Sequence, residues 1–308
     1  MIVVPQPSVH EPVRRAWADH PFAGRVRRFD RPAGGDGELI ERMRGAQTVL
    51  HFFDDGPLPA AALRETRPRR VVIAGPAGSL VDAAGLEAVG GALYDTPGLA
   101  ADAVAEFTLA LILAGARGIG GPGAAWAPRF GTDLRDLRLG LVGLGRIGSR
   151  VARLATALGI RVAAWSPTPD PRRMAEAGAT AMELDDLLIG SDVVSLHLRA
   201  GQGAGPVIDA RRIGLLGRRA VLVNTARAAL VDTDALREAL AAGRIAGAAL
   251  DVHDQEPLPP QDPLWRLPGV LVTAHTAWMT HGTVARFLDA ALRFACVGDD
   301  SLVRRVAA

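Results

Sequence analysis

The sequence predicts an α/β protein made of two units, each a parallel sheet covered by helices. Three observations lead there. Short apolar runs alternate with helix-like segments from the start of the chain to about residue 95, the pattern of parallel strands joined by crossover helices. The alternation is interrupted by a long apolar helix and resumes more regularly from residue 139. At 308 residues the chain is long enough for two such units, because a domain commonly takes roughly 100–200 residues.

In the first run, strands fit 2–4, 26–29, 48–52, 71–74 and, more weakly, 92–94. Helix-like spacing fills 36–44, 59–65 and 80–89, and the Gly- and Pro-rich stretch 30–37 reads as a loop. Asp95-Thr96-Pro97-Gly98 is a turn, and the hinge between the units is expected near 95–99. The helix that follows, 99–116, carries Ala, Leu and Ile on most faces, so it is expected to be buried or to lie at an interface. The glycines of 118–123 end it. In the second run, strands fit 139–142, 161–165, 192–196, 220–224, 245–250 and 270–272. Helices fit 146–158, 171–177, 184–189 and 233–242, and a last helix over 278–297 can cross back to the first unit. There is no tandem repeat of fixed period and no low-complexity tract.

Composition narrows the function. Hydrophobic residues make up 49% of the chain and charged residues 22%, which are globular values. A formal net charge of +2 gives no reason to expect a nucleic-acid or membrane partner. All 35 basic residues are Arg, which excludes a Schiff-base lysine, a P-loop lysine and a Tyr-x-x-x-Lys dehydrogenase site. Cys296 is the only cysteine and no His-Glu-x-x-His occurs, so neither an internal disulfide nor a zinc centre is expected. Met1-Ile2-Val3-Val4-Pro5 is too short for a signal-peptide core, and the apolar stretch 109–116 is far below the ~20 residues of a membrane span. A cytoplasmic protein is expected.

Gly143-Leu144-Gly145-Arg146-Ile147-Gly148 matches G-x-G-x-x-G between a strand and a helix. In that setting each glycine has a role: a tight turn at Gly143, close approach of backbone to a pyrophosphate at Gly145, and helix–strand packing at Gly148. The helix N-terminus would hold the phosphates. The next strand should end in an acidic residue that binds the ribose hydroxyls of NAD. Here Ser166 stands in that place, and Arg172 and Arg173 follow. A missing carboxylate and a nearby Arg favour NADP(H) slightly over NAD(H).

Three further segments place polar groups just past strand ends, the edge where open α/β sheets bind ligands. They are 223–232 with Arg227, 249–258 with Glu256, and 272–278 with His275. An Arg can hold a carboxylate by paired hydrogen bonds. A His can move a proton, and a Glu on its other ring nitrogen favours the protonated ring and fixes its tautomer. These motifs, in this order and spacing, resemble the D-isomer-specific 2-hydroxyacid dehydrogenase family. Asp95-Thr96-Pro97-Gly98 followed by Val104-Ala105-Glu106 is similar to a further family segment at the hinge, so the resemblance covers most of the chain from about residue 70.

The resemblance implies two Rossmann-like doubly wound domains with a cleft between them. The substrate domain would be 1–97 completed by 288–308, and the dinucleotide domain 98–287. It implies NAD(P)-dependent interconversion of a 2-oxo acid and its D-2-hydroxy acid, with Arg227 binding and polarising the substrate, His275 as acid/base and Glu256 as its partner. It places Gly143, Gly145, Arg146, Ile147, Gly148, Ser166, Thr225 and Asp251 at the cofactor, Asp251 on the nicotinamide carboxamide. Gly75-Pro76-Ala77-Gly78-Ser79 resembles the loop whose backbone N–H groups, at Ala77 and Gly78, hold the substrate carboxylate. A homodimer through the cofactor domain is implied as well.

The chain departs from the family pattern in places. Ala228 follows Arg227 where Gly is usual, Ala274 and Thr276-Ala277 flank His275 in place of Pro and Ile-Gly, and His253 replaces a common aromatic. The 199–205 segment replaces Pro-Leu-Thr beside the nicotinamide. These departures leave open a different class of function, a nucleotide-sensing binding protein without turnover. The retained Arg227–Glu256–His275 set favours the enzyme, because a sensor has no need of an acid/base pair. His10, His20, His51 and His281 have no partner pattern and read as surface or satisfied core residues, and His197 reads as packing. Arg211-Arg212 and Arg218-Arg219 read as solvated pairs. Trp278 either walls the substrate pocket or begins the last helix.

Overall fold

The computed structural model describes residues 1–8, 11–53, 55–78, 80–119, 130–199 and 205–307. His10, Ser79, 120–123 and 200–204 lie outside the described residues. The chain divides into two compact units, one formed by 1–100 with 279–308 and the other by 101–278.

In chain order the first unit begins β1 (Ile2–Val4), α1 (Glu11–Ala18), β2 (Arg27–Arg28), α2 (Asp36–Met43), β3 (Thr48–Phe52), α3 (Ala60–Thr66), β4 (Arg70–Ala74), α4 (Ala83–Ala88) and β5 (Ala92–Asp95). The second unit runs α5 (Ala101–Arg117), β6 (Arg138–Val142), α6 (Arg146–Ala157), β7 (Arg161–Trp165), α7 (Pro171–Glu176), β8 (Thr180–Ala181), α8 (Leu184–Gly190), β9 (Val193–Leu196), α9 (Ala210–Ile213), β10 (Val221–Asn224), α10 (Thr233–Ala241), β11 (Gly247–Leu250) and β12 (Val270–Val272). The chain then returns to the first unit as α11 (His281–Val297) and β13 (Arg304–Arg305).

The first sheet has the order β13-β5-β4-β3-β1-β2 and is parallel apart from β13, which pairs antiparallel with β5. Its central strands β3 and β4 are apolar almost without interruption because helices cover both faces. α11 buries Val284, Phe287, Leu288, Ala291, Leu292 and Ala295, a stripe at helical spacing that packs on α1, β3 and β4. That stripe is continuous, so the whole helix belongs to the first unit. The return crossing therefore falls at Met279, ahead of the 288 expected from the sequence, and residues 98–100 also sit in the first unit.

The second sheet has the order β12-β11-β10-β9-β6-β7-β8, all parallel. This is the doubly wound Rossmann order with one extra strand. Successive residues feed opposite cores. Leu139, Leu141, Val193, Val221 and Val223 pack on one face with Ile112 and Val151, whereas Val142, Val194, Leu196 and Leu222 pack on the other with Leu187 and Leu240. The strand order reverses between β6 and β9, and the carboxyl ends of strands at such a reversal are where a ligand finds a crevice.

The elements without a sequence expectation are the short or polar ones: α1, α9, β8 and β13. β2 is confined to two exposed arginines, shorter than the expected 26–29. A two-residue edge strand has too few residues to show alternation. No helix among the described residues is long and apolar enough to cross a membrane.

Candidate active site

The nucleotide loop opens directly from β6. Gly143 has φ +106°, and a Cβ there would lie 2.7 Å from the His197 carbonyl oxygen, so both conformation and space demand glycine. A Cβ at Gly148 would collide with the Gly143 carbonyl, so α6 reaches the strand only without a side chain there. Gly145 is different. Its φ is −78°, and a Cβ would meet nothing within 4 Å. Neither backbone nor packing calls for glycine at 145, and its bareness keeps space clear at the α6 N-terminus, because Gly145 at the N-cap brings no side chain of its own over the first turn. That open, donor-lined end suits a pyrophosphate. Arg146 is exposed beside it, and Ile147 is anchored against the core below. The residues present therefore fit a dinucleotide.

Beyond β7, the Ser166 hydroxyl donates to the Thr168 carbonyl at 3.2 Å within an exposed turn. The two arginines that follow diverge. Arg172 pairs with Glu176 at 2.8 Å along α7. Arg173 instead reaches the Leu144 carbonyl of the glycine loop at 3.5 Å. His197, just past β9, meets the Ser195 hydroxyl at 3.0 Å. Crowding by protein strips the ring of water and lowers its pKa from 6.5 to about 4, so it is neutral and acts as packing under the loop.

Asn224 ends β10 and clamps the next turn. Its Oδ1 accepts from the Ala226 N–H at 3.0 Å and its Nδ2 donates to the Arg227 carbonyl at 2.9 Å. Thr225 turns its hydroxyl toward α5. Thr108 Oγ1 donates to the Val104 carbonyl, so in the 2.7 Å contact between the two hydroxyls the proton comes from Thr225. Arg227 is exposed. Its Nη1 donates to the Ala226 carbonyl at 2.6 Å, and no carboxylate among the described residues pairs with it.

The ends of β11 and β12 carry the acid/base group. His275 Nδ1 lies 2.8 Å from Glu256 Oε2. Glu256 Oε1 accepts from the His253 N–H at 3.0 Å. A carboxylate only accepts, so the His275 proton sits on Nδ1 in this pair and Nε2 faces away from it. His275 has φ +54°, a conformation that a β-carbon disfavours. Asp251 holds it there. This carboxylate is 0% exposed and accepts from the Thr273 hydroxyl at 2.7 Å, the Thr276 N–H at 2.8 Å and the Ala277 N–H at 2.9 Å, bracketing His275 on both sides. Asp251, which the family resemblance sets on the nicotinamide, thus also ties down the loop that carries His275. Asn224 and Thr273 escaped the sequence reading, although a short polar side chain at a strand end is the usual signal for such a clamp.

Burial works to raise the Glu256 pKa, but hydrogen bonds from His275 and from the His253 backbone outweigh it and leave it below the ordinary carboxylate value. The charge is thus present at neutral pH and is lost only as pH falls through that lowered value. Glu256→Gln removes the charge that favours a protonated ring. The basic limb of any pH–activity profile that needs the protonated ring is expected to move to lower pH, and a profile identical to the parent's would make Glu256 structural.

In the first unit, Ala77 is buried and Gly78 is exposed with φ +52°. The Ala77 N–H donates to Asp95 Oδ2 at 3.4 Å, which leaves Gly78 as the exposed end of the loop.

A dinucleotide loop at the sheet reversal, with an Arg and a Glu–His pair on successive strand ends, defines a nicotinamide-dependent oxidoreductase. Residues 122–277 match the model of the D-isomer specific 2-hydroxyacid dehydrogenase NAD-binding domain. The chain is 34% identical to a glyoxylate reductase of Korarchaeum cryptofilum over 82% of its length and 79% of that protein's. It is 33% identical to a glyoxylate reductase of Thermococcus litoralis over 80% and 78%. Among solved structures, a D-lactate dehydrogenase from Treponema pallidum superposes with a TM-score of 0.80 at 25% identity, covering 99% of each chain. The chain belongs to the D-isomer-specific 2-hydroxyacid dehydrogenase family, NAD-binding oxidoreductases that interconvert 2-oxo acids and D-2-hydroxy acids.

Proposed function

We propose that the protein reduces a small 2-oxo acid to the D-2-hydroxy acid, with its catalytic set on β10, β11 and β12. The observation that carries this reading is the 2.8 Å His275–Glu256 contact on a loop buttressed by buried Asp251, with Arg227 past the end of β10 in the same sheet and paired with no carboxylate among the described residues. NAD(P)H supplies the hydride when bound. His275 Nε2 gives its proton to the carbonyl oxygen as negative charge grows there. Glu256 stabilises the protonated ring before the transfer and fixes its orientation after it. Arg227 binds the carboxylate and polarises the carbonyl, an effect worth on the order of 3 kcal/mol in comparable oxyanion sites. Gly143, Gly145, Arg146, Ile147 and Gly148 hold the pyrophosphate, and the turn at Ala77 and Gly78 in the first unit receives the substrate carboxylate. Asp251 is a positioning residue for His275, and Thr225 serves the cofactor through backbone atoms because its hydroxyl proton is used against α5. A homodimer through the cofactor-binding unit and a cytoplasmic location complete the reading. The test is loss of reduced-nicotinamide absorbance with a panel of short 2-oxo acids. Turnover with at least one supports the proposal, and nucleotide binding without turnover on any overturns it.

The same reading extends to cofactor choice. Ser166 offers no carboxylate to repel a 2′-phosphate, and Arg173 lies over the glycine loop. NADPH is therefore expected to serve at least as well as NADH. Ser166→Asp should shift the kcat/KM ratio toward NADH by tenfold or more, about 1.4 kcal/mol. A parent strongly selective for NADH, or an aspartate variant with unchanged preference, would remove Ser166 from the ribose.

A further inference from the structure

The turn at Gly75–Gly78 is held from behind by an acidic residue, which is an odd neighbour for an anion site. Asp95 ends β5 with its side chain 2% exposed. Its Oδ2 accepts the Ala77 N–H at 3.4 Å, while adjacent Thr96 fixes Gly75: the Gly75 N–H donates to Thr96 Oγ1 at 2.8 Å and the Thr96 N–H donates to the Gly75 carbonyl at 3.0 Å. A bare carboxylate there would repel a substrate carboxylate arriving at the turn, and little water screens it. The charge is answered from the far end of the chain. Arg304, on β13, donates to both oxygens of Asp95, Nε at 3.0 Å and Nη2 at 2.6 Å. This fork-on-carboxylate geometry neutralises Asp95 without removing its acceptor function at Ala77.

We infer that Arg304 is a positioning residue for substrate binding: through Asp95 it shapes the Ala77–Gly78 turn and cancels the charge behind it, so the C-terminal segment sets the affinity for the acid. The inference rests on the reading of this turn as the carboxylate site. It makes the substrate's own charge the thing that is sensed, which a purely structural ion pair does not do.

The experiment compares a 2-oxo acid with its neutral amide. Arg304→Gln should raise KM for the acid by on the order of tenfold, with KM for the amide and kcat for either changed much less. Asp95→Asn added to Arg304→Gln removes the unpaired charge while keeping an acceptor for Ala77, and should return KM for the acid to near the parent value. If Arg304→Gln folds poorly, Asp95→Asn alone, which leaves the Arg304 charge unopposed behind the turn, should hold KM for the acid at or below the parent's, and a rise in the acid KM alone would overturn the inference. If KM for acid and amide rise together in Arg304→Gln, or the acid KM is unmoved while the parent discriminates strongly for the acid, the inference is overturned and the carboxylate site stands. If the parent takes the amide as well as the acid, the carboxylate reading itself fails.

Discussion

Replacing His275 with Asn is expected to lower kcat by about 10²–10⁴-fold, the usual yield of a positioned general acid, or roughly 2.7–5.4 kcal/mol of barrier. The variant suits the question because of the backbone. His275 sits at φ +54°, and Asn is among the few residues that enter this region readily. The loop therefore keeps its shape, the Asp251 bonds to Thr276 and Ala277 persist, and only the ring is lost. Affinity for NAD(P)H, measured by the fluorescence of the reduced cofactor, should barely change. Near-normal turnover would take the proton away from His275.

Arg227→Lys is expected to cost about 10²-fold in kcat/KM for 2-oxo acids, near the upper end of what a charge-assisted hydrogen bond contributes. Lysine keeps the charge and loses the planar paired donor, so the loss measures geometry rather than electrostatics. The structure favours a large effect: Arg227 is exposed, among the described residues its guanidinium bonds only the neighbouring Ala226 carbonyl, and Asn224 fixes the turn from which it projects. A Lys variant as active as the parent would mean that the substrate is not gripped by a fork of donors.

Both residues were legible in the sequence because each follows a strand whose apolar run is unmistakable, β10 before Arg227 and β12 before His275. The glycine loop was legible for the same reason, and the structure separates the steric needs of Gly143 and Gly148 from the open space at Gly145. The contacts that give these residues their geometry were not legible. Asp251 works through two backbone amides and a hydroxyl more than 20 positions away, and no local pattern encodes such a partner. Arg304 meets Asp95 across 209 positions, from a strand of two exposed arginines with no alternation to read. The divergence of Arg172 and Arg173 is likewise a tertiary fact, since one finds Glu176 one turn along its own helix and the other finds the Leu144 carbonyl.

The central claim is that the β10–β12 set reduces the carbonyl of a 2-oxo acid. It is tested most directly by incubating the protein with a mixture of NADH and NADPH, both deuterated at the transferable position of C4, and a short 2-oxo acid, then examining the product by NMR and chiral chromatography. The account predicts one deuterium at C2 of a product that is wholly the D-2-hydroxy acid, and no such product from the His275→Asn protein on the same timescale. Deuterium that stays on the nucleotide, or a product of mixed configuration, would contradict it.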